Sequence, residues 1–381
     1  MKKILAMILA LVMVFSLCAC GGGDASNSPA PSQNPGTVDP GNADPAPEGG
    51  YNGESFTIAM ASSNNGVDDQ SRPMKYFQEK VAELSGGKVN VTISWGGTEY
   101  DDAGIWEAMG SGLLNMDFML LNKQTGNAPM MSWGFMPYGA SAQESMNQTN
   151  WLIFENEETA KIMSDYMGAA GMTILGNCCD GAPSFITTFP WETLDELVAK
   201  CTSFGTMNTA KYQSLGLSCT SVRGRDAYEN LDRGIIDGNS SSLSSALSNS
   251  LNEVAGYACV DGQITAGVLI VANEDWWNDL SDEARAMLTQ AIDETEAFCV
   301  QHVDEATAAA ATAWEEKTGN KVRFLEGDDA VNFWVNTLLA IANNAKQNAA
   351  GKAYEENMKT ILNTWIAYQA EYHGVTIDWA W

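Results

Sequence analysis

Apolar residues recur along the chain with two periods. Phe56 to Ala61 runs apolar and alternating, which predicts a first strand, followed by the polar loop Ser62-Ser63-Asn64-Asn65-Gly66. Pro73 opens an amphipathic helix with Phe77, Val81 and Leu84 at helical spacing, and Gly86-Gly87 ends it. Val89 to Trp95 alternates as a second strand, broken by Gly96-Gly97. Ile105 to Leu113 reads as another helix and Met116 to Leu121 as a third strand. Strand–helix–strand order at this spacing predicts parallel pairing and the α/β class. Ligands collect at the carboxyl ends of strands in such sheets. Ser62, Ser63, Asn64, Trp95 and Asn122 are therefore candidate cleft residues.

The pattern restarts after Asp180. Ser184 to Thr188 and Ser203 to Met207 are strand-like, Leu194 to Lys200 and Asp226 to Asp232 helical, and Ile235-Ile236-Asp237-Gly238 is an apolar segment stopped by a turn. Two α/β units with connections crossing between them predict a bilobed protein around a cleft. From Leu280 the chain reads as helical: Ser281 to Val300 and beyond, Ala330 to Ala345, and Tyr354 to Tyr368. Ser281-Asp282-Glu283 supplies the capping start of the first of these.

The amino-terminal stretch follows a different pattern. Lys2 and Lys3 precede an uncharged apolar run from Ile4 to Leu17, too short for a membrane span and read as a signal peptide over 1–20. The run ends in Leu17-Cys18-Ala19-Cys20, which resembles the bacterial lipobox, with Cys20 as the lipid-bearing residue. Residues 21–52, rich in Gly, Pro, Ser and Asn, have too little to bury and predict a disordered tether.

The net charge of −28 argues against nucleic acid as a partner. Six cysteines follow the leader, Cys178, Cys179, Cys201, Cys219, Cys259 and Cys299, without zinc-like spacing; most read as small buried apolar residues, although export permits a bridge among them. His302 and His373 stand in no triad or metal pattern, so neither a metal nor an organic cofactor is expected. Trp95, Trp133, Phe135 and Tyr138 read individually as core.

Several segments in order resemble the solute-binding proteins of TRAP transporters, of the dicarboxylate-binding type, from about Phe56 to Trp365. They are Phe77-Gln78-Glu79-Lys80-Val81 leading to Ser85-Gly86-Gly87-Lys88-Val89, then Glu107-Ala108-Met109 with Ser111-Gly112 and Asp117-Phe118. Ala227-Tyr228-Glu229-Asn230-Leu231-Asp232-Arg233-Gly234-Ile235-Ile236-Asp237-Gly238 is similar to the family's "Y-x-A-L-Q-R-G-V-V-D-G". Leu251-Asn252-Glu253-Val254, Asn273 with Trp276, and Leu280-Ser281 follow. The resemblance implies a periplasmic-binding-protein-like fold: lobe I over 53–180 plus about 266–308, and lobe II over 181–265 plus about 309–381. It implies capture of a small organic molecule by cleft closure, delivery to membrane subunits of a TRAP transporter, and no catalysis. With the lipid anchor, the expected location is the outer face of the cell membrane or the periplasm.

Family members hold an organic anion through an arginine. Ser203 stands at that arginine's place in Glu196-Leu197-Val198-Ala199-Lys200-Cys201-Thr202-Ser203. Serine cannot offer the planar fork that meets a carboxylate. Either Arg223 or Arg225 supplies the cation, with Arg72 and Lys200 as poorer candidates, or the ligand is neutral, aromatic or cationic. Asn239 and Ser241 are the remaining polar contacts that the resemblance implies. The alternative functions are a ligand-binding sensor, a binding protein of an ATP-driven (ABC-type) importer, and a secreted hydrolase, which would need an activated nucleophile or a placed carboxylate pair.

Overall fold

The computed structural model describes residues 51–64, 66, 71–124, 126–136, 141–179, 181–206, 208–222, 226–263 and 267–381, without the side chains of Asn122 and Phe135. The leader, Cys20 and the tether to residue 50 lie outside the described residues. Tyr51 and Asn52, read as tether, belong to the body. Tyr51 is buried in the core, and the Asn52 amide donates to Glu283 Oε1 at 2.8 Å. An aromatic side chain beside an apolar surface gains more by burial than the chain end loses in freedom.

Lobe I is built on β1 (Phe56–Ala61), helix α1 (Arg72–Leu84), β2 (Val89–Ser94), α2 (Asp102–Gly110) and β3 (Met116–Leu120). Helices α3 (Ala142–Asn150) and α4 (Glu157–Ala169) and strand β4 (Met172–Cys178) follow. β1 and β2 pair in parallel, as the strand–helix–strand order predicts. Asn115 carries the sheet onward: its amide donates to the Ala59 carbonyl at 2.9 Å and its Oδ1 accepts from the Ala59 amide at 2.8 Å.

The chain then crosses to lobe II: β5 (Pro183–Thr187), α5 (Leu194–Lys200), β6 (Phe204–Thr206), α6 (Thr209–Gln213), β7 (Cys219–Ser221), α7 (Ala227–Asp232), β8 (Gly238–Ser242), α8 (Leu243–Ser248) and β9 (Tyr257–Val260). It returns to lobe I with β10 (Val268–Asn273), which inserts antiparallel between β3 and β4. All six residues of β10 are buried, which explains its unalternating apolar run. Helix α9 (Glu274–Asp279) leads into α10 (Asp282–Thr318).

Short β11 (Arg323–Phe324) completes the second sheet, ordered β11-β9-β5-β8-β6-β7. One face of that sheet carries an aromatic cluster centred on Phe185, whose ring lies 5.4–5.9 Å from those of Trp191, Phe204, Tyr212 and Phe333. β8 is polar, Gly-Asn-Ser-Ser-Ser, and starts at the Gly238 where the sequence pattern predicts a stop. Strand propensity there is overridden by two flanking strands.

Helix α10 runs 37 residues, capped at its start by Ser281 Oγ and ended by Gly319 at φ 73°. It lies along α1, α3 and β4 of lobe I and along α8 of lobe II. Helices α11 (Gly327–Ala349) and α12 (Glu355–His373) finish the chain. The packing divides residues 309–381, which the sequence reading grouped with lobe II. Phe333 joins the lobe II aromatics, whereas Leu338, Ile341, Leu362 and Trp365 join Met109, Met119 and Met163 in lobe I. The reason is chemical: methionines of lobe I leave an irregular apolar surface that the last helices cover.

Candidate functional site

The carboxyl ends of β1, β3 and β4 gather on one edge of lobe I. Ser62 follows β1; its amide donates to Ser94 O at 2.8 Å and its carbonyl accepts from Gly97 N at 3.0 Å. Its hydroxyl accepts the Asn64 amide at 3.2 Å, closing a tight turn, and Asn64 O accepts from Gly96 at 2.7 Å. The loops after β1 and β2 are thus one hydrogen-bonded unit. Gly66, at φ 80°, is pressed so close to Trp95 that a Cβ would lie 3.0 Å from its ring. Trp95 is half-buried, with the Lys75 ammonium 5.8 Å from its ring centroid.

Lys123, three residues beyond β3, is the cation that the sequence reading missed. Its Nζ donates to Ser63 Oγ at 2.9 Å and to Asn64 Oδ1 at 3.3 Å, and lies 3.8 Å from Asp102. Its side chain remains 31% exposed, so the ammonium can still face a guest. The rule of carboxyl strand ends that found Asn122 points equally to its neighbour. Asn122's own side chain lies outside the described residues. Behind Lys123, Asp117 is fully buried on β3, and burial pushes its carboxyl up to about 8, aided by the charge of Asp102 and opposed by Lys123. This carboxyl is therefore mostly neutral at pH 7.

Two small cavities follow this edge. One, of about 10 Å³, is lined by Ser62, Asn64, Met74, Phe118, Cys178 and Val268. The other, of about 30 Å³, lies between residues of both lobes, Gly181, Ser242 and Leu243 on one side and His302 and Thr307 of α10 on the other. Pro73 and Cys179 line both. Such volumes hold one or two waters. Entry of an organic molecule here requires the lobes to part.

In lobe II the carboxyl end of β8 reaches this cavity, and parallel β6 points the same way. Ser203 sits at the opposite, amino-terminal end of β6. Its amide donates to Asp237 Oδ2 at 3.2 Å and its carbonyl accepts from the Asp237 amide at 2.8 Å, so it serves a local clamp away from the cavity. Asn239 is buried and its Nδ2 donates to Gly205 O at 2.9 Å, tying β8 to β6, while its Oδ1 has no partner among the described residues. Ser241 is half-buried and pairs with Ser184 of β5. Arg223 and Arg225 lie outside the described residues. Arg72 stacks over Phe298 of α10 at 5.8 Å, and Lys200 is engaged by Glu196 and Pro190 O.

The site is thus a polar edge on lobe I that carries the partly exposed Lys123 ammonium, beside a seam lined from lobe II by Ser242 and Ser244. Residues 61–347 match the family described as "Bacterial extracellular solute-binding protein, family 7". The chain belongs to this family. Among curated proteins, C4-dicarboxylate-binding protein DctB of Bacillus subtilis is 22% identical over 226 residues. That match covers 58% of this chain, which spans about 62% of the relative's length. A TRAP periplasmic solute-binding protein from Ochrobactrum anthropi, with its C-terminus bound in its ligand pocket, has the same fold: TM-score 0.67 at 19% identity, covering 84% of this chain and 98% of that one. One from Desulfovibrio salexigens with bound orotic acid gives 0.65 at 15%, covering 82% and 99%. One from Marinobacter aquaeolei in an apo open form gives 0.67 at 19%, covering 81% and 99%. A family member of this architecture is a bilobed binding protein.

Proposed function

We propose that the chain captures a small organic carboxylate outside the cytoplasm and hands it to the membrane subunits of a TRAP-type transporter. Lys123, beside Ser63 and Asn64 at the cleft edge, is the observation that carries the carboxylate reading. An ammonium with donors to spare meets a carboxylate by charge-assisted hydrogen bonds. Its neutral neighbour Asp117 does not repel an anion at pH 7. The relatives' ligands, orotic acid, pyroglutamate and glucuronate, are all organic acids, which supports the same class. Arg223 and Arg225 are proposed as further cations from the lobe II side. Closure is favoured because contacts from both lobes are satisfied only in the shut form.

The test is isothermal titration of the purified protein with a panel of uronates, C4-dicarboxylates and cyclic carboxylates, beside neutral sugars and amines. Binding of neutral sugars or amines but of no acid overturns the carboxylate reading. Lipidation of Cys20 is part of the proposal, and fatty-acid labelling of the expressed chain, lost in Cys20→Ala, tests it. The tether would then hold the lobes off the membrane.

A further inference from the structure

Three of the six cysteines meet at one point. Cys178 ends β4, Cys179 begins the short crossover 179–182 into β5, and Cys299 lies midway along α10. Cys299 Sγ lies 3.2 Å from the Cys179 amide and 3.4 Å from the Cys179 carbonyl, and the Cys178 thiol is hydrogen-bonded to it. All three are buried. Packing alone asks only for small apolar residues here; the remaining cysteines, Cys201, Cys219 and Cys259, pack in the aromatic cluster of lobe II. Their thiols are pushed up to about 12, 11 and 12 by burial, which makes them inert. Cys299 is held the other way, because the Cys178 and Cys179 thiols and the Cys179 amide favour its thiolate.

We propose that Cys178 and Cys299 are a redox pair, joined by a peroxide in a disulfide that pins the interlobe crossover to helix α10. Neighbours Cys178 and Cys179 are excluded as the pair: adjacent Cα atoms sit about 3.8 Å apart, below the usual disulfide span. The Cys179 thiol is also turned to the Ala142 carbonyl at 3.4 Å. Cys179 lines both cavities and Cys178 the smaller one, so space of about 10–30 Å³, room for one or two water-sized molecules, adjoins the cluster. One thiolate of the pair attacks the peroxide oxygen to give a sulfenic acid and release hydroxide. The second thiol displaces that oxygen as water and closes the S–S bond. Overall two thiols and one peroxide give one disulfide and two waters. The bond joins β4's end to α10, so the crossover can no longer move independently of the helix when the lobes part. This device is independent of what the cleft binds.

The experiment uses the whole chain and hydrogen peroxide. After treatment, unfolding and alkylation, peptide mapping is expected to show Cys178 linked to Cys299, Cys179 alkylated, and reversal by dithiothreitol. Amide exchange over residues 181–187 is expected to slow about tenfold in the oxidised form. Cys178→Ser is expected to lose both effects, and the wild-type mapping stands even if that variant folds poorly. Full alkylation of all three thiols, a Cys178–Cys179 link, irreversible sulfinic acid, or a link without slowed exchange overturns the proposal.

Discussion

The ammonium of Lys211 and the carboxylate of Asp261 meet at 2.6 Å with side chains only 7% and 0% exposed. The pair joins α6 to the end of β9, and Tyr212 and the Gln263 amide complete the coordination of the carboxylate. Burial pushes Asp261 upward and Lys211 opposes that shift. Asp261→Asn leaves the ammonium buried without its counter-charge and is expected to cost about 3–5 kcal/mol. Replacing both, as Lys211→Met with Asp261→Leu, is expected to cost much less. Urea unfolding of the variants checks both outcomes.

Lys123→Ala is expected to weaken binding of the acid found by titration by about ten- to a hundredfold, the loss of one hydrogen bond to a charged group. Lys123→Arg retains a cation and is expected to lose less. Affinity in the wild type should fall with added salt, and the variant's should fall less. Calorimetry at two ionic strengths reads all three.

Asp117 and Glu296 make stability depend on pH in a stated direction. Asp117 goes from an ordinary 3.8 to about 8 on folding, and burial takes Glu296, which accepts the Asn177 amide, from 4.5 to about 7. The folded chain therefore holds more protons than the unfolded one in that window. Their contribution is complete below about pH 4, is lost as pH rises through 7 and 8, and is constant above. Asp117→Asn keeps the side chain neutral and is expected to flatten the melting temperature between pH 5 and 8. A variant with the wild-type slope would show that Asp117 stays ionised in the fold.

Asn115→Ala removes the Oδ1 that receives the Ala59 amide. The expected cost is about 1–3 kcal/mol for an amide left without its acceptor. Asn115→Asp keeps an acceptor and is expected to cost less, as denaturant midpoints will show.

Local elements were legible where one segment decides its own state. β1 at Phe56–Ala61 and α5 at Leu194–Lys200 stand at the bounds the pattern predicts. The bilobed α/β architecture followed from two such runs. The pairing of β10 was not legible, because its partners β3 and β4 are about 90 to 150 residues earlier in the chain and no local signal reports so distant a neighbour. The same holds for the site. Ser62 and Asn64 follow a strand end, which the rule of carboxyl ends reads locally, and they line the smaller cavity, whereas the expectation for Ser203 rests on a motif. In the fold, its position belongs to the Asp237 clamp. The cysteine cluster depends on residues 120 apart meeting, which spacing cannot reveal.

Helix α10 contains neither glycine nor proline over its 37 residues, and at 1.5 Å per residue it is about 55 Å long. A rod of that kind bows gently but does not fold at a point. Since it touches both lobes, neither can shift against the other without repacking its contacts with α1, α3 and β4 or those with α8.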